Sequence, residues 1–237
     1  MKTPALTDPS RQSPPVPWFG DLSVVVCARN ESKTIQEVLR SLRQHLPGAQ
    51  LIVVDNGSTD ATGELAQRVP GTVVVTEPLP GKGHAMRAGA AAAEREWLLF
   101  HDGDGEYRAE DCPDVVLAAL QNGAWAVGTR ATTYGSVLPS SIMANWLARA
   151  LIQWRTGQRV DDVLTGTRCI RRSMFLALRT NSPHFGIETE ISRKLCHRGL
   201  APAHAPVRFV PRTYQCGKKI RPWHLMSILV QAVATKH

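Results

Sequence analysis

Seven consecutive positions, Leu22-Ser23-Val24-Val25-Val26-Cys27-Ala28, are apolar apart from one serine. The next apolar positions, Ile35, Val38, Leu39 and Leu42, recur at the spacing of one helical face. The pair predicts a strand followed by a helix. The alternation continues with a strand over 51–55, a helix over about 59–69, a strand over 72–76, a helix near 84–94 and a strand over 97–101. A helix over 110–122 and a strand over 125–129 complete this half. Strands that read as unbroken apolar runs between helices belong to parallel sheets covered on both faces. Beyond Arg130 the rhythm loosens into a long helix over about 140–155, a short strand near 167–170, a helix over 187–198, a strand over 205–210 and an apolar helix over about 222–235. The expected fold class is α/β: a doubly wound, mostly parallel sheet flanked by helices, in one domain over 21–237 after a proline- and serine-rich leader over 1–20.

Composition narrows the class. The 237 residues, 43% hydrophobic, suffice for one substantial core. Five cysteines, Cys27, Cys112, Cys169, Cys196 and Cys216, stand far apart without a C-x-x-C pair, which argues against a disulfide scaffold and for a reducing cytosol. No stretch approaches the roughly 18 apolar residues of a membrane span. The segment 225–234, interrupted by Ser227 and Gln231, suits a docking or interfacial helix, so the membrane contact it allows is peripheral, at the inner face. Trp146, Leu147, Leu151, Ile152 and Trp154 either line a lipid groove or pack in the core. The formal charge of +8 invites an anionic partner, with basic residues accumulating between Arg168 and Arg221 and most acids in the N-terminal half. Charge alone admits a non-catalytic polyanion binder, but no recognition helix, RNP-like aromatic pair or zinc motif points to nucleic acid.

Ligands of open parallel sheets gather at the carboxyl ends of the strands. Here those ends read Ala28-Arg29-Asn30-Glu31, Asp55-Asn56-Gly57-Ser58-Thr59-Asp60, Pro80-Gly81-Lys82-Gly83 and Asp102-Gly103-Asp104. The last belongs to His101-Asp102-Gly103-Asp104-Gly105-Glu106-Tyr107, where three carboxylates alternate with glycines. Hard oxygen donors on a bendable backbone suit Mg²⁺ or Mn²⁺, and Asp102, Asp104 and Glu106 are expected to face one cation. An EF-hand is excluded, because Tyr107 and Pro113 stand where its glycine and glutamate belong. A dinucleotide-binding glycine fingerprint is missing after the first strand, and Gly81-Lys82 is followed by Gly83 rather than the Ser or Thr of a Walker A loop. Few protein ligands would then leave coordination positions to a diphosphate.

These motifs, in this order, resemble glycosyltransferase family 2, with its nucleotide-sugar-binding GT-A fold, and within it the dolichol-phosphate mannosyltransferase-like, polyprenyl-phosphate group. The likeness covers about residues 22–228. The stretch from Val24 to Glu31 is similar to the family's opening strand and P-x-x-N-E segment, with Ala28 at the proline position. Val53 to Asp60 resembles V-D-D-G-S-x-D, Gly81 to Ala85 resembles G-K-G-x-A, and Asp102 to Asp104 resembles D-x-D. Gly128-Thr129-Arg130, Asp162 to Arg168, Phe185 to Glu190 and Arg212 to Lys219 look like the group's G-S-R, D-x-x-S-G-x-R, F-x-x-E-x-E and R-x-x-G-x-S-K segments.

The resemblance implies metal-dependent, inverting transfer from a GDP- or UDP-sugar, with a nucleotide and metal half over about 21–130 and an acceptor half over about 131–221. It assigns Ala28, Asn30, Glu31, Asp55, Gly57, Ser58, Lys82, Asp102 and Gly103 to the nucleotide sugar, and Asp102, Asp104 and Glu106 to Mg²⁺ or Mn²⁺. Asp104, Arg130, Asp162, Glu188 and Arg212 fall to catalysis, and Arg168, Lys218 and Lys219 to an acceptor phosphate. A polyprenyl or dolichyl phosphate is already ionised and needs only cations to hold it. A hydroxyl on a soluble or lipid-linked glycan, or on a natural product, needs a carboxylate base, for which Asp162, Glu188 and Glu190 are the candidates. Ile142 stands where the lipid-phosphate enzymes usually carry arginine, and both acceptors stay open at this point.

Overall fold

The computed structural model describes residues 18–133, 139–212 and 224–234. Lys218, Lys219 and the leader up to residue 17 lie outside them. Seven strands, β1 (Leu22–Ala28), β2 (Gln50–Asp55), β3 (Thr72–Thr76), β4 (Trp97–Asp102), β5 (Trp125–Thr133), β6 (Arg168–Arg171) and β7 (Ala203–Phe209), form one sheet. Its order is β3-β2-β1-β4-β6-β5-β7. Neighbours run parallel except β6, which is antiparallel to both β4 and β5. The α/β class and mostly parallel sheet expected from the hydrophobic pattern are therefore present.

The apolar runs explain the layering. Side chains alternate across a strand, so Val24 and Val26 of β1, Leu51 and Val53 of β2, and Trp97 and Leu99 of β4 enter one core layer. Val25, Ile52, Val54, Leu98 and Phe100 enter the other. Helices cover both faces. On the first face α1 (Ile35–His45) buries Ile35, Val38, Leu39 and Leu42, the positions its spacing predicts. Truncating one such leucine to alanine would cost about 2–5 kcal/mol. Helices α2 (Thr62–Gln67) and α4 (Cys112–Asn122) share that layer, while α3 (Lys82–Ala92), α5 (Pro139–Thr156), α7 (Ile187–His197) and α8 (His224–Val233) supply the second. The alanine-rich α3 lies close to the sheet, since a Cβ on Gly89 would stand 2.2 Å from Val25 Cγ1.

Several boundaries differ from the expected ones. Helix α2 starts three residues late because Asp60 folds back, one carboxylate oxygen accepting from the Thr62 N–H and hydroxyl and the other from the Ser32 N–H. Helix α3 starts two residues early, which places Lys82 in its first turn. The short helix α6 (Arg172–Ala177) was not anticipated, and β5 runs four residues longer than expected. The stretch expected to hold the acceptor contributes β6 and β7 to the same sheet as the nucleotide-binding strands. Among the described residues no helix is long and apolar enough to cross a membrane.

The topology also sets where a ligand fits. From β1 the chain crosses to β2 and β3 on one side, then returns to β4 on the other. The carboxyl ends of β1 and β4 thus flank the switch point, where open α/β sheets form a crevice.

Candidate active site

A cleft of about 660 Å³ opens at that switch point. Cys27 pairs with Asp102 across β1 and β4, and the Gly103 N–H donates to the Cys27 carbonyl at 3.1 Å. The two rims are therefore level. Ala28, Asn30 and Glu31 line one side, with Asp102, Gly103 and Asp104 beside them, and Lys82, Glu106, Arg130, Glu188 and Arg212 complete the wall. Eleven residues expected from the sequence to be functional thus meet in one cleft.

The Gly81-Lys82-Gly83 turn owes its glycines to a close approach. The Gly83 N–H donates to the Pro183 carbonyl at 2.9 Å, and a Cβ on Gly83 would stand 1.9 Å from the Ser182 carbonyl oxygen. Gly81 adopts φ +139, which side chains rarely tolerate. The turn aims Lys82 inward, its Nζ 2.7 Å from Asp102 and 2.7 Å from Glu188. Burial alone would push the Lys82 ammonium down, but the Asp102 and Glu188 carboxylates outweigh it and hold it above the ordinary lysine value. Burial pushes the Glu188 carboxyl up, against the pull of Lys82 and Arg168. Asn56 braces this turn: its amide donates to the Glu77 and Leu79 carbonyls and its oxygen accepts from the Gly81 N–H at 2.6 Å. The sequence reading missed Asn56, whose only signal was an amide at a strand end, able to donate and accept at once.

On the opposite rim Arg212 spans two acids. Its guanidinium donates to Glu31 at 2.8 and 3.1 Å and to Asp104 at 3.0 Å, while its backbone N–H donates to Glu106 at 2.7 Å. Burial, then the nearby Asp102 and Glu106 carboxylates, push the Asp104 carboxyl up to about 7 despite Arg212. The expected convergence of Asp102, Asp104 and Glu106 on one point needs correction. Asp102 faces Lys82, whereas Asp104 and Glu106 face Arg212, and among the described residues no group of three or more His, Cys, Asp or Glu is placed to hold a metal ion. Strict alternation ends with β4 at Asp102, so Asp104 and Glu106 lie beyond the strand, with Gly105 at φ +74 between them. The donor chemistry nevertheless fits a divalent cation. Once Asp162 has claimed Arg130, five cleft carboxylates (Glu31, Asp102, Asp104, Glu106 and Glu188) face Arg29, Lys82 and Arg212, a formal surplus of two negative charges. Mg²⁺ or Mn²⁺ is commonly held by one or two carboxylates with substrate phosphates completing the shell.

The segment from Asp162 to Arg168 backs the cleft. Asp162 takes Arg130 in a two-pronged bond at 2.6 and 2.8 Å, which engages both of its carboxylate oxygens. A Cβ on Gly166 would stand 2.0 Å from Asp102 Oδ2, so only glycine lets this backbone pass. Its N–H donates to the Tyr107 hydroxyl oxygen at 3.1 Å. Arg168, expected at an acceptor phosphate, is instead 1% exposed. Its guanidinium donates to the carbonyls of Val163, Thr165 and Glu188 and to the Ser192 hydroxyl, which makes it a brace for the segment rather than a ligand contact. The strand position of Arg168, facing α7, is what buries it. Glu190 is likewise structural, accepting from the Asn181 and Ser182 N–H groups and pairing with Lys194. Asp55, Gly57 and Ser58 do not line the cleft; Asp55 accepts from the Ser58 N–H at 3.1 Å, and Ser58 in turn accepts from the Asn30 N–H at 3.0 Å.

Comparison with known proteins agrees with this architecture. The family model described as Glycosyl transferase family 2 matches residues 23–178. The glycosyltransferase AglJ of Haloferax volcanii is 31% identical over 186 residues, 77% of this chain; the chain spans 61% of that relative's length. A dolichyl-phosphate hexose transferase of the same organism is 30% identical over 196 residues, covering 82% of this chain and 85% of the relative. The likeness to such lipid-phosphate enzymes supports the dolichol-phosphate mannosyltransferase-like group within the family. Glucosyl-3-phosphoglycerate synthase from Mycobacterium tuberculosis, crystallised with Mn²⁺ and UDP-glucose, superposes with a TM-score of 0.65 at 23% identity, covering 89% of this chain and 78% of that one. At that identity it speaks for the fold.

Proposed function

This chain belongs to glycosyl transferase family 2 and is a glycosyltransferase, and on that premise we propose that it transfers a sugar, with inversion, from a GDP- or UDP-sugar to polyprenyl phosphate. The observation that carries the acceptor choice is the state of three carboxylates. A hydroxyl acceptor needs a free base, yet Asp162 is held by Arg130, Glu188 by Lys82, and Glu190 by Lys194 and two backbone N–H groups. A phosphate monoester arrives ionised and needs none. The relatives named for lipid phosphates favour the same reading.

In this reading Ala28, Asn30 and Glu31 receive the nucleoside, while Asp102 and Asp104 hold a divalent cation. When bound, that cation would neutralise charge developing on the departing diphosphate. Lys82 holds the Asp102 and Glu188 carboxylates in place beside the sugar position. Arg212, fixed by Glu31, presents positive charge next to Asp104, where the diphosphate charge grows. Arg130, oriented by Asp162 and stacked 5.2 Å from the Phe209 ring centre, is the described cation best placed for an acceptor phosphate. Lys218 and Lys219 keep that expected role from the sequence.

The test is incubation of the purified protein with labelled GDP- and UDP-sugars, Mn²⁺ and polyprenyl phosphate. A labelled, mild-acid-labile glycolipid is the expected product. Label appearing only on hydroxyl acceptors would replace the acceptor assignment.

A further inference from the structure

Tyr107 stands between the turn that carries Asp104 and the segment that carries Asp162, and it touches both. The turn is closed on itself, since the Glu106 N–H donates to the Asp104 carboxylate at 3.0 Å. The next residue, Tyr107, is buried and lines the cleft. Its ring packs on Phe209 with centroids 5.0 Å apart and meets His101 edge to face at 6.4 Å, and its backbone forms an antiparallel bridge with Phe209. A ring held by two others fixes where its hydroxyl goes. That hydroxyl oxygen accepts from the Gly166 N–H at 3.1 Å, and a Cβ on Gly166 would stand 2.9 Å from Tyr107 Cε2, so the two residues are in direct contact.

Two paths therefore run from this one side chain to Arg130. Through Gly166, the hydroxyl holds the segment whose Asp162 grips the guanidinium. Helix α5 ties the same segment, the Asn145 side-chain oxygen accepting from the Val163 and Leu164 N–H groups at 2.9 and 3.3 Å. Through Phe209, the Tyr107 ring supports the aromatic face over which Arg130 lies at 5.2 Å. Arg130 needs such support. The pairing of β5 with β7 shifts register between Arg130 and Thr132, and a ladder interrupted there leaves the aim of the side chain to its neighbours.

The separation that Tyr107 spans is the one the reaction uses. The turn carries the carboxylates assigned to the cation and the departing diphosphate, and Arg130 is the cation assigned to the acceptor phosphate. Displacement at the sugar carbon needs these two held at a set distance, and a misplacement of about 1 Å can cost about a hundredfold in rate. We propose that Tyr107 is a positioning residue, which sets Arg130 at its working distance from the metal-binding turn and so governs turnover while leaving donor binding alone. The proposal rests on the reading of Arg130 as the acceptor-phosphate contact.

Two substitutions test it. Tyr107→Phe removes the hydroxyl and keeps the ring; the buried Gly166 N–H, left without its acceptor, then shifts and takes the Asp162 segment with it. Tyr107→Leu removes both paths. Transfer to polyprenyl phosphate by the folded variants should fall about tenfold in kcat for Tyr107→Phe and about a hundredfold for Tyr107→Leu, while calorimetric binding of sugar nucleotide with Mn²⁺ stays within about twofold of wild type. In an Arg130→Gln background Tyr107→Phe should cost less than about twofold, because it acts through the group already removed. A crystal structure of Tyr107→Phe should show the Arg130 guanidinium moved relative to Asp104. Unchanged turnover in both variants, donor binding lost in step with turnover, a tenfold loss that persists in the Arg130→Gln background, or an unmoved Arg130 would overturn the proposal. An Arg130→Gln protein with unchanged turnover and acceptor KM, together with a displaced Arg130 in Tyr107→Phe, would instead remove the acceptor assignment and leave Tyr107 as the residue that places Arg130.

Discussion

The two walls of the cleft are built from the same sheet by opposite means. The wall at the ends of β1 and β4 concentrates acids on short turns, with Glu31, Asp102, Asp104 and Glu106 brought level by strand register. The wall from β5 to α8 folds Arg168 inward as a brace on four partners, holds Arg130 against Asp162 at the cleft surface, and turns apolar side chains outward on α5. One wall is suited to a cation and a diphosphate, the other to holding the shape of the cleft. The lesson is that a charged residue in a functional motif can serve the site by bracing its backbone instead of touching the ligand.

The sharpest way to break that contrast is Arg168→Met. As a brace, Arg168 leaves several buried carbonyls unpaired when lost, so unfolding in urea should reveal a loss of about 3–5 kcal/mol. An acceptor-binding arginine would instead leave stability intact and raise the acceptor KM. Asp104→Asn attacks the acidic wall: turnover should fall about 10²- to 10³-fold, with circular dichroism unchanged, and chelation of the metal from wild type should do the same. Gly83→Ala comes next. Its Cβ meets the Ser182 carbonyl, which is backbone and cannot swing aside, so about 1–3 kcal/mol of stability should be lost and Lys82 displaced, raising the donor KM. The smallest effect expected is for Arg212→Gln. Removing a cation that competes for Asp104 should tighten Mn²⁺ binding in the absence of donor about fivefold, measured by calorimetry; weaker binding would mean that Arg212 organises the site rather than competing within it.

These contrasts also show which parts of the molecule a linear reading can reach. The strands β1, β2 and β4 were legible because each is buried on both faces and must be apolar throughout. The rim residues were legible because parallel topology sends every strand end to one edge, so nearness in the fold followed from local position. The pairings across the cleft were not legible. Lys82 meets Glu188 from 106 positions away and Arg212 meets Glu31 from 181, and only closure of the sheet around β6 brings them together. The antiparallel insertion of β6 had no local signature, being four residues long. Arg168 was misjudged for the same reason: a charged residue next to a glycine motif reads as a ligand contact until its strand is seen buried between β4, β5 and α7. Asp104 and Glu106 turned to Arg212 and left Asp102 to Lys82 because their alternation outlasted β4, which ends at Asp102.

The most direct test of the acidic wall is calorimetry of the wild-type protein and Asp104→Asn with GDP- and UDP-sugars, each with Mn²⁺ and with a chelator. Heat from one sugar nucleotide in wild type with Mn²⁺, and its loss both on chelation and in the variant, is the predicted result. Equal heats with chelator present, or an Asp104→Asn protein that binds as tightly as wild type, would contradict it.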